Sequence, residues 1–563
     1  MSNKVILTST RKQINNLDTL PTYDRSLVDY KKYNNSIGHA GVKYSMAVQA
    51  TRGCPYRCFY CDVYKTTLHH FRRSVDSVFD EVKMIADMGV KRIEFIDDIF
   101  NVKAKDFVSF FNKVIKANLN VSFFFPTALK GDLLNKEVID VMMKGGAVGV
   151  NVSLESASPR MQKVMRKNLD IEKFRENLEY ICKNYPEAVT TLNTMHGFPT
   201  ETEEEAIMTL DFIFSMKWVH FPYTHIVRIF PGTDLEKFAL NHGVPRSAIN
   251  ESIDKSYHQV TPTLPFSKDF TEKYKLKFLK NYVLNKERLK KVLPIQMKHF
   301  TEEELNQRYS SYFASKIKSL KDVIRMAGIK ESELKVQCLS EKDIIIPNLE
   351  KTIEKKFPVK KIKKDAFKIL LINISTHFTN DKDVSEYDVL EPPLGLIALQ
   401  SYLNHIFKDE INGKLIKSRI DFDNYEDLNK TIKDFKPDLI GVSAMTFHKD
   451  FFHQAIKQIR DGGFNKMIVV GGPHPTTSYS EVLKDRNIDV CVLGEGEVTL
   501  SEIITEMIKN NKEKLSFADL KKINGIAFVD KDKGSALIPE KPQKESDIAA
   551  NGLYAETKAV GQY

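Results

Sequence analysis

The chain has 563 residues, of which 42% are hydrophobic and 28% charged, and its formal net charge is +10. This length predicts two to four domains with ample core, and the composition is that of an ordinary globular protein. No apolar run approaches the roughly 18 residues that a membrane span needs, and no signal peptide opens the chain. Six cysteines are few, which is typical of a reducing compartment, so we expect a cytoplasmic protein without a transmembrane segment.

The positive charge is partly local, because the stretch from Lys351 to Asp365 contains seven lysines. No nucleic-acid-binding motif accompanies this stretch. We interpret it as a solvated linker, at 351–366, and expect no nucleic-acid partner.

Residues 1–45 lack a sustained hydrophobic period and are interpreted as an N-terminal hairpin and connector. The stretch from Val5 to Thr10 predicts a short strand, and residues 17–24 are punctuated by Pro and Asp, as connectors are.

From residue 46 to about 250, short β-rich runs alternate with amphipathic helical stretches. Consecutive βα units predict a parallel sheet with helices outside it and chemistry at the carboxyl ends of its strands. The predicted strands are 46–50, 91–96, 120–124, 147–154, 188–195 and 223–230.

Directly after the first of these strands, Cys54, Cys58 and Cys61 stand in a C-x3-C-x2-C array. Three thiolates on one tight loop can hold three corners of an iron–sulfur cube and leave the fourth iron open to a cofactor or substrate. The alternative is a closed zinc site, with His69 or His70 as the fourth ligand.

Polar residues follow four of the other predicted strands: Asp97 and Asp98, Glu155, residues 193–200 and residues 228–233. Each group taken alone could cap a helix or form a turn. Four such groups at the edge that carries the cysteine loop indicate a site.

The cysteine spacing, its place after the first strand and the aromatic Tyr60 before the third cysteine resemble the radical SAM superfamily. The resemblance implies a partial (β/α)6 barrel, a [4Fe-4S] cluster, S-adenosylmethionine chelated by the open iron, and an external one-electron reductant such as flavodoxin or ferredoxin. Glu155 then matches the position that holds the S-adenosylmethionine ribose, and Arg166 and Lys167 lie where a basic residue meets the methionine carboxylate. The full set of candidate S-adenosylmethionine contacts is Tyr60, Asp97, Glu155, Arg166, Lys167 and Arg228.

Residues 251–350 predict a helical accessory region, and a second α/β unit follows the linker at 367–545, ahead of a C-terminal tail at 546–563. Strands are predicted at 367–374, 438–443, 466–471 and 488–493. Their near-continuous apolar character is typical of a parallel sheet covered on both faces.

The strand-end loops of this unit are rich in glycine, as in Gly471-Gly472 and Gly494-Glu-Gly496. Glycine lets a backbone approach a large ligand, and helix N-termini can meet its acceptor groups. In this order the loops resemble the flavodoxin-like (Rossmann-type) cobalamin-binding domain of radical SAM enzymes; the alternative is a flavodoxin-like fold without a ligand. The resemblance implies cobalamin contacts at Pro393, Gly395, Ser443, Gly471, Gly472, His474, Gly494, Gly496 and Glu497.

The D-x-H-x-x-G motif, whose histidine ligates cobalt in the wider cobalamin family, is replaced by the stretch from Ser375 to Asn380. His377 keeps the imidazole but lacks the acid that would orient it. We therefore expect the lower face of cobalt to have no protein ligand.

In most such enzymes the cobalamin domain precedes the barrel, and here it follows. A hairpin is predicted at 524–530 with 534–539, similar to the one predicted at the N-terminus. A circular permutation would explain this order, and so would a reading frame that starts inside a longer protein.

The resemblance favours a cobalamin-dependent radical SAM methyltransferase that methylates an unactivated carbon of a small-molecule, lipid or peptide substrate. One alternative is a cobalamin-binding radical cyclase or rearrangement enzyme without methyl transfer. Another is a non-catalytic sensor that binds corrinoid or S-adenosylmethionine.

Overall fold

A computed structural model describes residues 4–34, 36–67, 69–253, 255, 259–313, 319–334, 336–379 and 390–530. Within these ranges, no helix is both long and apolar enough to cross a bilayer. The predicted partner hairpin strand at 534–539 and the tail at 546–563 lie outside the described residues, as does Asn380.

The described strands build two large sheets and one small clip. In chain order they are β1 (Val5–Leu7), β2 (Ser45–Val48), β3 (Thr51–Arg52), β4 (Phe71–Arg72), β5 (Arg92–Phe95), β6 (Ser122–Leu129), β7 (Ala147–Glu155), β8 (Val189–His196), β9 (Phe221–Ile226), β10 (Phe367–Ile374), β11 (Ile411–Lys417), β12 (Leu439–Ala444), β13 (Met467–Gly471), β14 (Val490–Val492) and β15 (Ile526–Val529).

Helices cover the sheets and form the region between them. Their bounds are Tyr30–Asn34, Val63–Thr66, Val75–Asp87, Ala104–Lys116, Lys136–Lys144, Pro159–Val164, Ile171–Asn184, Glu203–Ser215, Asp234–Asn241, Arg246–Ile253, Lys268–Phe278, Lys286–His299, Glu302–Ser310, Leu320–Met326, Glu341–Ile344, Leu349–Lys356, Leu394–Phe407, Tyr425–Phe435, Lys449–Asp461, Pro473–Val482, Glu497–Lys509 and Phe517–Leu520.

The first sheet has six parallel strands in the order β2-β5-β6-β7-β8-β9, which confirms the predicted α/β fold class. It is open rather than closed, with β2 and β9 at its edges. The predicted strands lie within a few residues of the observed ones, although β9 ends at Ile226, before the stretch predicted as its carboxyl end.

Aromatic packing explains why the first sheet forms here. Phe95 on β5 stacks on Phe100 at 4.5 Å between ring centroids and meets Phe110 of the helix Ala104–Lys116 edge-on at 5.4 Å. Phe123 and Phe125 on β6 extend the same cluster. Each buried aromatic side chain removes a large apolar area from water, so the helix and two strands are stabilised together.

The helical accessory region packs on the first domain. Buried residues of its helices, including Tyr274, Leu289, Tyr309 and Ile353, belong to the same apolar core as the first sheet. The predicted linker at 351–366 begins inside the helix Leu349–Lys356, so its first six residues are helical.

The second sheet has the order β1-β15-β14-β13-β12-β10-β11. Its strands β10 to β14 are parallel, and reading them from β11 gives the flavodoxin-like order 2-1-3-4-5. The sequence missed β11, because this edge strand contains Asn412, Gly413 and two lysines and therefore lacks an apolar run.

The N-terminal strand belongs to this C-terminal sheet. β1 pairs antiparallel with β15, with Ile6 opposite Phe528, and β15 pairs antiparallel with β14. The segment 1–45, predicted as a connector, therefore supplies an edge strand to the second domain.

Candidate active site

The cysteine loop is closed at its base by a two-stranded clip. Thr51 of β3 pairs with Arg72 of β4, and Gly53 follows with φ +80°. A side chain at Gly53 would collide with the backbone carbonyl of His69, so this turn requires glycine. The clip brings the start and end of the loop together and leaves the thiols of Cys54, Cys58 and Cys61 half-buried.

The three thiols lie close enough to affect one another's ionisation. The pKa of Cys54 is raised to about 11, mainly by burial and in part by the neighbouring Cys58, although Lys167 lowers it. Burial also raises the pKa of Cys61, with contributions from Cys54 and Cys58. Thiols in this environment ionise readily only when a metal centre stabilises the thiolates.

Backbone bonds fix the middle of the loop to the rest of the first domain. Phe59 donates its N–H to the carbonyl of Met165 at 3.0 Å and accepts from the N–H of Leu235 at 2.8 Å. Its buried ring packs against Phe198 at 5.8 Å and Phe238 at 5.6 Å between centroids. The residue between Cys58 and Tyr60 thus positions both neighbours.

Asp97 and Asp98 anchor the start of the loop. The Asp97 carboxylate accepts hydrogen bonds from the N–H of Ala50 at 3.0 Å and from the N–H and hydroxyl of Thr51. Asp98 accepts from the N–H of Gly53 at 2.9 Å. Burial raises the pKa of Asp97 to about 6, against the hydrogen bonds that lower it. The side chain of Asp97 therefore positions the loop, and its contact to S-adenosylmethionine stays a prediction.

The donor set fits an iron–sulfur cluster. A closed zinc site places four ligands around one ion, whereas each thiolate of a cluster binds a different iron. His69 and His70 were the two candidates for the fourth ligand of a zinc site. His69 is exposed, whereas burial lowers the pKa of His70.

Tyr60, Glu155 and Lys167, three of the residues predicted to contact S-adenosylmethionine, meet beside the cysteines. The Lys167 ammonium pairs with Glu155 Oε1 at 2.7 Å and donates to the Tyr60 hydroxyl at 3.4 Å. The Tyr60 hydroxyl donates to Glu155 Oε1 at 3.2 Å. Glu155 ends β7 with φ +66°, a conformation that costs a non-glycine residue energy and is typical of functional positions.

Arg166 and Arg228 are not brought to this group by their described contacts. The Arg166 guanidinium pairs with Asp234 at 2.5 Å, and its side chain is half-exposed. Arg228 is buried and donates its Nε to the carbonyl of Lys255 at 2.8 Å. The adjacent pair Arg166 and Lys167 is thus divided, with only Lys167 turned toward Glu155.

At the carboxyl edge of the second sheet, the predicted glycines have different structural demands. Gly472 has φ +92°, and a Cβ there would lie 2.6 Å from the Ser443 hydroxyl, so the fold itself requires glycine. Gly395, near the start of the helix Leu394–Phe407, has nothing within 4 Å of an added Cβ, and Gly471 would meet only Val492 at ordinary distance. The fold does not require glycine at either position, so Gly395 and Gly471 both stay predicted cobalamin contacts.

The two histidines of the second domain that the sequence singled out, His377 and His474, lie in different places. The ring of His377 packs near His448 at 5.6 Å and Phe451 at 5.2 Å. His474 is 4% exposed, and burial lowers its pKa to about 4. Its ring lies edge-on to Phe452 at 5.7 Å, so His474 is buried in the domain rather than presented at its edge.

The two predicted sites face each other across the domain boundary. Arg52, next to the cysteine loop, pairs with Glu495 at 3.3 Å and with Glu497 at 2.7 Å. A cavity of about 270 Å³ lies alongside, and its lining includes Arg11, Lys65 and Gly494. The sequence did not single out Arg52, Glu495 or Arg11, because an interdomain ion pair has no local signature.

Comparison with known proteins supports both resemblances. The model of the radical SAM superfamily matches residues 48–213, and that of the B12 binding domain matches residues 384–504. An uncharacterized methyltransferase of Pyrococcus horikoshii is 28% identical over 235 residues, covering 41% of this chain and 48% of that protein. A tRNA-2-methylthio-N(6)-dimethylallyladenosine synthase of Aquifex aeolicus is 27% identical over 208 residues, 36% of this chain and 46% of that protein. The chain thus spans about half the length of these relatives.

Two solved structures show the same kind of likeness at a lower level. The radical S-adenosylmethionine methyltransferase TsrM from Kitasatospora setae, with cobalamin and a [4Fe-4S] cluster bound, is 19% identical with a TM-score of 0.34, covering 38% of this chain and 39% of that one. The cobalamin-dependent S-adenosylmethionine radical enzyme OxsB is 14% identical with a TM-score of 0.34, covering 56% and 54%. On its two matched family models, the chain carries a radical SAM domain followed by a B12-binding domain.

Proposed function

We propose that this chain is a cobalamin-dependent radical SAM methyltransferase that methylates an unactivated carbon of a small-molecule, lipid or peptide substrate. The observation that supports this most directly is the meeting of the cysteine loop and the Gly494–Glu497 loop through Arg52. Two cofactors can act on one substrate carbon only when they are held close together.

The domains imply the cofactors and the residues that would hold them. Cys54, Cys58 and Cys61 would hold a [4Fe-4S] cluster, and Tyr60, Glu155 and Lys167 would hold S-adenosylmethionine. The backbone at Gly395, Gly471 and Gly494 would lie against cobalamin. When bound, these cofactors would supply a 5′-deoxyadenosyl radical and a transferable methyl group. The radical would require one electron from an external flavodoxin or ferredoxin.

The protein's own residues would bind and orient. The Lys167 ammonium offers a charge to a carboxylate, and Glu155 offers an acceptor to a ribose hydroxyl. Because the two side chains pair with each other at 2.7 Å, S-adenosylmethionine would replace one ion pair by two new contacts.

The first domain also has room for a substrate. A cavity of about 200 Å³ lies between the first halves of strands β6 to β8, the N-terminal segment and the accessory helices, and its lining includes Gly38, Asn151, Thr191, Tyr223 and Arg308. The chain of side-chain contacts from Asn151 to Asn193 at 2.8 Å continues toward Ser153, two residues before Glu155. These contacts run from the cavity lining toward Glu155, which ends β7.

The test is product analysis with anaerobically reconstituted protein, S-adenosylmethionine, a reductant and candidate substrates. Methylation gives S-adenosylhomocysteine together with 5′-deoxyadenosine. Formation of 5′-deoxyadenosine alone would support the cyclase or rearrangement reaction instead. Formation of neither product would support a sensor. In the same assay, Cys58→Ala should lose iron and both products. Cys182→Ala, which removes a thiol outside the loop, is its matched control and should lose neither iron nor products.

A further inference from the structure

One guanidinium joins the loops that the two domains are expected to use for their cofactors. Arg52 Nη1 lies 3.3 Å from Glu495 Oε1, and Nη2 lies 2.7 Å from Glu497 Oε1. The three side chains are only 12%, 13% and 7% exposed. The contact is therefore a mostly buried, three-member ionic group rather than a surface ion pair.

Arg52 and Glu495 are close in sequence to residues of the candidate sites, and Glu497 is itself a predicted cobalamin contact. Arg52 is two positions before Cys54, and the residue between them, Gly53, is held by Asp98. Glu495 and Glu497 flank Gly496, and Glu497 begins the helix Glu497–Lys509. A shift of either loop would therefore stretch the contact to the other.

The energetics favour one relative position of the loops. Burial of a charged group is costly unless its partners are well placed, so an arrangement that breaks this contact leaves buried charges unpaired. Arginine can reach two carboxylates with separate nitrogens of one planar group, which a lysine ammonium does poorly. By contrast, the interdomain pair Lys32–Asp421, at 2.7 Å, has a lysine side chain that is 45% exposed.

We propose that Arg52 is a positioning residue that couples the occupancy of the two cofactor sites. Order in the cysteine loop, once its thiols hold a cluster, is transmitted through Arg52 to the Gly494–Glu497 loop and raises its affinity for a corrinoid. By thermodynamic reciprocity, a corrinoid stabilises the cluster loop by the same factor. The identity of the two ligands rests on the proposed function; the coupling of the loops does not.

The first measurement follows the loops without a corrinoid. Hydrogen exchange of the backbone at 494–497 is compared before and after anaerobic cluster reconstitution. In the unaltered protein, reconstitution should slow exchange there. In Arg52→Met it should have no effect on this segment, although the cysteine loop is still protected.

The second measurement is the ratio of hydroxocobalamin dissociation constants without and with the cluster. Typical coupling between two sites is roughly 5- to 150-fold, so we expect a ratio in that range for the unaltered protein. Arg52→Met should bring the ratio close to one, and Arg52→Lys, which keeps the charge, should give an intermediate value.

Two further variants separate coupling from damage. Arg52→Met combined with Glu495→Gln and Glu497→Gln leaves no buried charge unpaired, and it should fold while still lacking the coupling. Lys32→Met removes an exposed interdomain ion pair and should keep the full ratio.

The outcomes are distinguishable. Unchanged exchange at 494–497 on reconstitution, or the same response in Arg52→Met as in the unaltered protein, would overturn the coupling. If the unaltered protein binds no hydroxocobalamin, the proposed function and the coupling of occupancy both fail, and the exchange measurement decides only whether the cysteine loop orders the Gly494–Glu497 loop. If it binds hydroxocobalamin with a ratio of dissociation constants near one, the coupling fails and the proposed function stands.

Discussion

Lys167 and Arg166 are adjacent basic residues with different surroundings. Lys167 is mostly buried and contacts Glu155 and Tyr60, whereas Arg166 is half-exposed and pairs with Asp234. The sequence pointed to both, because a basic residue in this segment was all that the resemblance required. Only the backbone turn after the helix Pro159–Val164, with φ +54° at Arg166, decides which of them faces the site.

We expect Lys167→Met to weaken S-adenosylmethionine binding much more than Arg166→Met. A hydrogen bond to a charged group contributes about 1.5–3 kcal/mol, which corresponds to a loss of roughly 10- to 100-fold in affinity. An exposed ion pair such as that of Arg166 contributes about 0–1 kcal/mol. Calorimetry on the cluster-containing variants checks this, and equal losses would show that both residues, or neither, contact S-adenosylmethionine.

At the scale of elements, the hydrophobic pattern predicted most strands and helices to within a few residues. The strands β10, β12 and β13 have the predicted bounds to within one residue. The polar strand β11 was not predicted, because it is defined by its pairing at the edge of the sheet rather than by an apolar run. The role of the Asp97 carboxylate in holding the cysteine loop was likewise not predicted, and its contact to S-adenosylmethionine stays a prediction.

The glycine-rich elements give a test of corrinoid binding that leaves the fold intact. Gly472→Val would fail for structural reasons, because of its positive φ and the nearby Ser443 hydroxyl. Gly395→Leu has open space around its Cβ and replaces a poor helix former by a good one, a gain of up to about 1 kcal/mol.

We therefore expect Gly395→Leu to be at least as stable as the unaltered protein and to bind less hydroxocobalamin, because leucine would occupy the space of the ligand. Iron content at the cysteine loop should not change. Corrinoid titration, thermal unfolding and iron analysis check the three parts.

At the scale of the whole molecule, the chain passes from the second domain to the first and back. β1 is an edge strand of the second sheet, and residues 45–356 then form the first domain and the accessory region. Strands β10 to β15 complete the second sheet. The sequence indicated this in part, since the N-terminal stretch was predicted as a strand next to a connector. Its pairing with β15 could not be predicted, because strand partners more than five hundred residues apart are selected by the assembled sheet.

This arrangement predicts that the N-terminal strand supports corrinoid binding. Backbone bonds join Thr8 to Ile526 at 3.0 Å and Asp530 to Lys4 at 3.4 Å. The alternation of antiparallel ladders then places Ile6 and Phe528 in a hydrogen-bonded pair. A proline at Ile6 would remove its donor from the middle of this ladder.

We expect Ile6→Pro to speed hydrogen exchange at Ile526–Val529 and to lower hydroxocobalamin binding while iron uptake by the cysteine loop is retained. The reason is that β15 lies between β1 and β14 in the sheet. The carboxyl end of β14 leads into Gly494, a predicted cobalamin contact. Leu7→Ser is the matched control: Leu7 is 55% exposed, and its substitution keeps every backbone donor. If Ile6→Pro and Leu7→Ser bind hydroxocobalamin equally well, the N-terminal strand merely covers the sheet and does not support its ligand site.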